Sequence, residues 1–198
     1  VAEAAARRGA RVILVSGPTA LAVPAGVELE RVRTAEEMQR AVLARLGEAS
    51  IVVAAAAVAD FRPKKVQARK IRRRRGRLRL ELEPTPDILA AVAQAKEKGK
   101  RVLVGFAAET EDLVKNARAK LRAKRLDIVL ANDVTQAGAG FDVETNQVTL
   151  VTRDGQTIPL PKMSKLAVAH RLLDEVYRLA PPTAGLAGRR ANAKRNTP

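Results

Sequence analysis

Four short apolar runs constrain this chain more than anything else in it: RVILVSG (11–17), SIVVAAAAVA (50–59), KRVLVGFA (100–107) and DIVLAN (127–132). None alternates apolar with polar residues. A strand takes that form when both its faces are covered, which is the habit of parallel sheets. Between the runs lie segments with apolar residues at helical spacing. Strand and helix in alternation predict an α/β domain with a mainly parallel sheet and helices on both faces. Aromatic residues are only 2% of the chain, so this core has to be built from Ala, Val, Leu and Ile.

The punctuation supports that order. VAEAAARRG reads as the last turns of a helix stopped by Gly9, so the chain is expected to open inside an element whose start lies upstream. Thr34 and Glu37 form a capping box for AEEMQRAVLARLGEA, with Met38, Val42 and Leu46 facing the core. Thr85-Pro86-Asp87 starts a helix with Pro at its first position, running through ILAAVAQAKEK. Thr110 is expected to cap EDLVKNARAKLRAKR, and Ser164 to cap KLAVAHRLLDEVYRLA. QVTLVTRDGQTIPL predicts a C-terminal β-hairpin around Asp154-Gly155. RLRLELE (77–83) alternates, with Leu78, Leu80 and Leu82 on one face, and predicts a half-exposed strand returning from a flap or lying at an edge. TQAGAG reads as a loop. Residues 1–180 are expected to form one domain, and the Pro-, Gly- and Arg-rich stretch 181–198 a disordered basic tail.

The net charge of +16 is concentrated. Arg62 to Arg79 carries eleven Lys or Arg and no acid, and the tail adds four more. The remainder is close to neutral. The segment contains Pro63 and Gly76, has no clean period, and reads as a basic flap or loop. The chain has no cysteine, which excludes disulfides, thiolate zinc sites and a thiol nucleophile. With a single histidine, His170, set among Ala169, Leu172 and Leu173, a His-rich metal site is excluded and a structural role is expected. No apolar run approaches the ~18 residues of a membrane span, so a cytoplasmic location is expected.

Ligands of parallel sheets sit beyond the carboxyl ends of the strands. The stretches there are SGPT, AAVADF, GFAAET and ANDVTQAGAG. Asp60 and Glu109 are the first acids after two of the strands, and the basic segment leaves from the same crevice. That placement favours a small phosphorylated ligand. Glu109 is open to metal binding or to capping near a helix start, and Asn132 and Asp133 to ligand contact or turn chemistry. Two other functions compete. A nucleic-acid-binding module would use Arg62–Arg79 and the tail, but no aromatic stacking residues interleave those charges. A nucleotide-dependent dehydrogenase would need a G-x-G-x-x-G turn between strand and helix, and none is present.

Six stretches, AAVADF (56–61), KIRR (70–73), PTPDIL (84–89), GFAAET (105–110), ANDV (131–134) and GFDVETN (140–146), stand in the order seen in phosphopantothenoylcysteine synthetase. The chain resembles that family over about residues 1 to 180. The resemblance implies a Rossmann-like fold and ligation of 4′-phosphopantothenate to L-cysteine, with CTP activating the carboxylate as an acyl-cytidylate and Mg²⁺ accompanying the nucleotide. It also implies a homodimer and a fused or separate decarboxylase partner. No FMN is expected on this chain, and neither a membrane nor a specific nucleic acid is expected as a partner. Lys70 matches the catalytic lysine of a flap. Ala54, Ala55, Ala56 and Asp60 match a nucleotide-binding turn, and Pro86, Asp87, Ile88 and Leu89 a nucleotide-contacting helix start. Phe106 matches the aromatic of GFAAET, with core packing as its other reading, and Lys120 and Lys124 match lysines that reach the nucleotide. Two departures stand out. Arg72 and Arg73 replace lysines, keeping charge but not geometry. The family's S-N-x-S-S-G-K-type loop, with its strand and catalytic Asn, is expected upstream of Val1.

Overall fold

The computed structural model describes residues 1–67, 69–71, 78–95, 101–109, 111–133 and 144–179. Its elements are α1 (Ala2–Arg7), β1 (Val12–Ser16), β2 (Val27–Arg31), α2 (Ala35–Arg45), a 3₁₀ turn (Leu46–Glu48), β3 (Ile51–Ala54), β4 (Phe61–Pro63), β5 (Leu82–Pro84) and α3 (Ile88–Gln94). They continue with β6 (Val102–Glu109), α4 (Leu113–Ala123), β7 (Ile128–Asp133), β8 (Thr145–Asn146), β9 (Val148–Thr152), β10 (Thr157–Pro159), β11 (Met163–Ser164) and α5 (Lys165–Leu179). The central sheet has the order β10-β9-β7-β6-β3. β3, β6 and β7 are parallel, and β9 and β10 continue the sheet antiparallel. β1 and β2 form a separate parallel pair.

The central strands read as unbroken apolar runs because both faces are covered. Val102, Val104, Ile128, Leu130, Val148 and Leu150 pack with Val168, Leu172 and Val176 of α5. The alternate residues Leu103, Ala107, Val129, Ala131 and Val151 pack under α2, α3 and α4, against Leu46, Val92 and Ala117. Each large aliphatic side chain buried this way contributes about 1.5–3 kcal/mol before the entropy of ordering is set against it. A buried carboxylate pins the N-terminal rim of the sheet. Asp127 accepts from the Leu103 amide at 2.7 Å and from Arg153 at 2.7 Å.

Local signals act as the sequence predicts. The Thr34–Glu37 capping box is present, and Gly9, with φ of 82°, ends α1. The Ser164 hydroxyl accepts from the Ala167 amide at 3.1 Å at the start of α5. His170 is structural: its Nδ1 accepts from Arg8 Nε at 3.0 Å, tying α1 to α5.

Other expectations need correction. The run 50–59 is not a buried strand: β3 stops at Ala54, Ala55–Ala57 are exposed, and Ile51 is 41% exposed. β1 is only half-buried along its length. Both strands have a partner on one side only among the described residues, β2 for β1 and β6 for β3. Of RLRLELE, among the described residues only Leu82 and Glu83 belong to a strand, β5, opposite β4, and Leu78 and Leu80 are exposed. α3 is capped by Asp87, whose carboxylate accepts from the Ala90 amide at 2.9 Å, so Pro86 precedes the cap instead of opening the helix. α4 starts at Leu113, two residues later than expected, because Asp112, with φ of 49°, is outside the helix. β2, β4, β8 and β11 were not foreseen. Thr110 as a cap, the TQAGAG loop, Arg72 to Arg75, the helix end beyond Ala95 and the tail 181–198 lie outside the described residues.

The hairpin of β9 and β10 turns through Arg153-Asp154-Gly155, with Gly155 at φ 91°. Asp154 is fixed there by Arg178 of α5 at 2.8 Å and by the Thr152 hydroxyl, and these two hydrogen bonds lower its pKa to about 2. A carboxylate depressed on folding adds stability that is complete above its ordinary value and lost as acid protonates it. The chain should therefore lose thermal stability between about pH 4 and pH 2, and Asp154→Asn should flatten that slope in melting curves taken across this range.

Candidate functional site

β1 and β3 end at the same rim, and a groove of about 930 Å³ runs between and beyond them. Ile13, Leu14 and Val15 of β1 form one wall, and Ile51, Val52 and Val53 of β3 the other. At the C-terminal rim it is closed by Ser16-Gly17, by the coil after β3 and by the start of α3. The mouth is clasped on one side. The Thr85 amide donates to the Asp60 carbonyl at 2.9 Å, and its hydroxyl donates to the Ala59 carbonyl. That clasp sets α3 beside the coil after β3. Nothing in the sequence reading singled out Thr85 for this; its place before Pro-Asp, across from an Asp-Phe pair, was the available signal.

Eleven of the twelve residues nominated from the sequence line this groove: Ala54, Ala55, Ala56, Asp60, Pro86, Asp87, Ile88, Leu89, Phe106, Lys120 and Lys124. Lys70 does not. It is exposed on the segment that leaves the groove after Asp60. Of the four crevice stretches, SGPT contributes Ser16, Gly17 and Thr19, whereas Asn132 at the end of β7 is not in the lining. Glu109 and Asp133 end adjacent strands as a ladder pair.

Both lysines of the groove already have internal partners. Lys120 Nζ donates to the Phe106 carbonyl at 2.6 Å, and Lys124 pairs with the Asp87 carboxylate. Desolvation alone would raise the Asp87 carboxyl. The Lys124 and Ala90 hydrogen bonds, with the charge of Lys120, outweigh it and hold the group below the usual carboxylate range. The Phe106 ring packs against the α5 side of the core and also lines the groove. Ala54–Ala56 present little beyond backbone, so a planar or phosphorylated ligand can lie close to the main chain.

β6 carries Gly105 where the Leu126 side chain crosses the strand. A Cβ there would lie 2.7 Å from Leu126 Cδ1 and 3.5 Å from Leu89 Cδ1. The family model described as the DNA/pantothenate metabolism flavoprotein C-terminal domain matches residues 1–179, across all the elements that build the groove. The chain belongs to this family. The Bacillus subtilis coenzyme A biosynthesis bifunctional protein CoaBC is 47% identical over 184 residues, which is 92% of this chain and 45% of that protein. The chain thus spans about half the length of the curated relatives it matches. A crystal structure of the C-terminal domain of a CoaBC protein superposes with a TM-score of 0.74 at 38% identity, covering 90% of this chain and 79% of that one. A DNA/pantothenate metabolism flavoprotein from Streptococcus pneumoniae, at 22% identity and a TM-score of 0.71 over 89% of this chain and 84% of that one, shares the fold. The motif resemblance and the α/β, mainly parallel fold are both borne out, and the chain is a homologue of coenzyme A biosynthesis proteins. Among the described residues no helix is long and apolar enough to cross a membrane.

Gly105→Ala should push Leu126 aside in a close-packed core and cost about 1–3 kcal/mol, read from denaturant unfolding.

Proposed function

We propose that this DFP-family chain is the ligase part of a coenzyme A biosynthesis protein, joining 4′-phosphopantothenate to L-cysteine with CTP. The observation that carries the reading is the convergence of Ala54–Ala56, Asp60, Pro86–Leu89, Phe106, Lys120 and Lys124 on one groove. Those positions were nominated from motifs scattered over seventy residues of sequence. In this reading a carboxylate oxygen of phosphopantothenate attacks the α-phosphorus of CTP, and the bond to the β-phosphoryl oxygen breaks to release pyrophosphate. The cysteine amine then attacks the acyl carbon, loses a proton, and CMP leaves with the electrons of the anhydride bond.

The residues of the chain supply binding and charge. The alanine turn lets the nucleotide lie along the backbone. Lys120 in the last turn of α4 and Lys124 at its C-cap, both on the groove, would exchange the Phe106 carbonyl and the Asp87 carboxylate for phosphate oxygens. Lys70, exposed on the segment rooted at the mouth, would close over the phosphates and exclude water from the reactive anhydride. Mg²⁺ fits as an ion carried by the triphosphate. Among the described residues no cluster of three or more metal-ligating side chains is present, and Asp60 is the groove carboxylate not engaged by a lysine. Bound there, it would offset phosphate charge.

A homodimer completing the phosphopantothenate site, and a cytoplasmic location, belong to the same proposal.

The full-length protein should release pyrophosphate from CTP only when phosphopantothenate is present. Lys70→Ala should cut that turnover about 10²–10³-fold, the usual loss when a positioned cation is removed from such a transition state. Near-normal turnover in the variant would remove the flap from the mechanism.

A further inference from the structure

The basic segment is not free charge along its whole length. At its root, β4 and β5 pair antiparallel with Arg62 opposite Glu83, and the ladder extends outward as the Lys64 amide donates to the Glu81 carbonyl at 3.0 Å. Residues two apart on a strand share a face. One face of this ribbon thus carries Arg62 and Lys64 against Glu83 and Glu81, with Lys64 Nζ 2.6 Å from Glu81 Oε1. Farther out, Lys65, Arg69, Lys70 and Arg79 make no ion pair among the described residues.

Arg62 also reaches out of the ribbon. Its Nε and Nη2 lie 2.9 and 2.8 Å from Glu83 Oε1, while Nη1 pairs with Glu36 in the first turn of α2. The Thr34–Glu37 capping box fixes that turn, so Glu36 is a rigid anchor. At the base of the ribbon, Asp60 and Thr85 both line the groove. A change in the tilt of the ribbon is therefore a change in where its cations stand relative to the groove.

We propose that Arg62 is a positioning residue. By bridging Glu83 within the ribbon to Glu36 on α2, it fixes the direction in which the cationic segment leaves the groove and so delivers Lys70 to the bound nucleotide. The inference rests on the ligase reading. A planar guanidinium can hold two carboxylates in fixed directions at once, whereas an ammonium on a flexible stem cannot. Misplacing a catalytic group by about 1 Å is enough to slow chemistry about 100-fold.

The test uses Arg62→Ala, Arg62→Lys and Glu36→Gln in the full-length protein, with hydrogen exchange and steady-state kinetics read side by side. In Arg62→Ala the Lys64 and Thr85 amides should exchange about 3- to 10-fold faster, the scale set by two half-exposed ion pairs, while the buried Leu103 amide is unchanged. The kcat for pyrophosphate release should fall about 10-fold or more with the CTP KM within about twofold, and Arg62→Lys should not restore it. Glu36→Gln should reproduce part of both effects. Unchanged protection at Lys64 and Thr85 overturns the anchoring. Faster exchange with unchanged kcat overturns the positioning. Loss of protection at Leu103 as well overturns both in favour of a merely structural role. If the wild-type protein shows no ligase turnover while Arg62→Ala still loosens the ribbon, the ligase reading and the delivery of Lys70 fall and the anchoring stands.

Discussion

The site depends on one strand being held from every direction. β6 is hydrogen-bonded to β3 on one side and β7 on the other, and its residues alternate between two buried layers. Asp127 closes its N-terminal end through the Leu103 amide, and Gly105 lets Leu126 settle onto it. With that strand fixed, the end of β3, the start of α3 and the Phe106 carbonyl that takes Lys120 are all fixed relative to each other. A flexible sheet centre would leave the groove residues near one another in sequence logic only.

The charge of the chain makes sense on this frame. A cluster of like charges is unfavourable unless something offsets it. Here the offset is graded outward from the groove. Lys120 and Lys124 rest on a carbonyl and a carboxylate within the groove. Arg62 and Lys64 are paired with acids at the root of the ribbon. Lys65, Arg69 and Lys70 have no ion pair among the described residues. This gradient suits a triphosphate at the groove mouth better than a nucleic-acid surface, which would present its cations unpaired across a face. The exposed ribbon pairs are individually weak, so their role is in direction more than in stability.

Much of this was legible in the sequence, for reasons that differ by residue. The runs around Leu103 and Leu130 declared themselves because strands covered on both faces have no polar alternation. Thr34, Glu37 and Ser164 declared caps because their bonds are local. The groove residues were legible through motif order, which periodicity alone could not supply. β3 was overextended because Ala55–Ala57 look the same in a buried strand and in an exposed turn that leaves room for a ligand. β2 was missed although Val27-Glu28-Leu29-Glu30 alternates, its signal overshadowed by the turn before it. RLRLELE predicts a longer strand than forms, because its alternation is real but among the described residues only Glu81 to Glu83 find backbone partners across from them. The Arg62–Glu36 and Lys124–Asp87 pairs span 26 and 37 residues, and no local rule reaches that far.

The central claim is that the groove between β1, β3 and α3 holds a nucleotide by its phosphates. A crystal structure of the full-length protein with CTP and Mg²⁺ tests it most directly. The account predicts phosphate oxygens within hydrogen-bond distance of Lys120 and Lys124, with Lys124 released from Asp87 and the cytidine lying along Ala54–Ala56. A nucleotide bound elsewhere, with Lys124 still on Asp87 and Lys70 still directed into solvent, would contradict it.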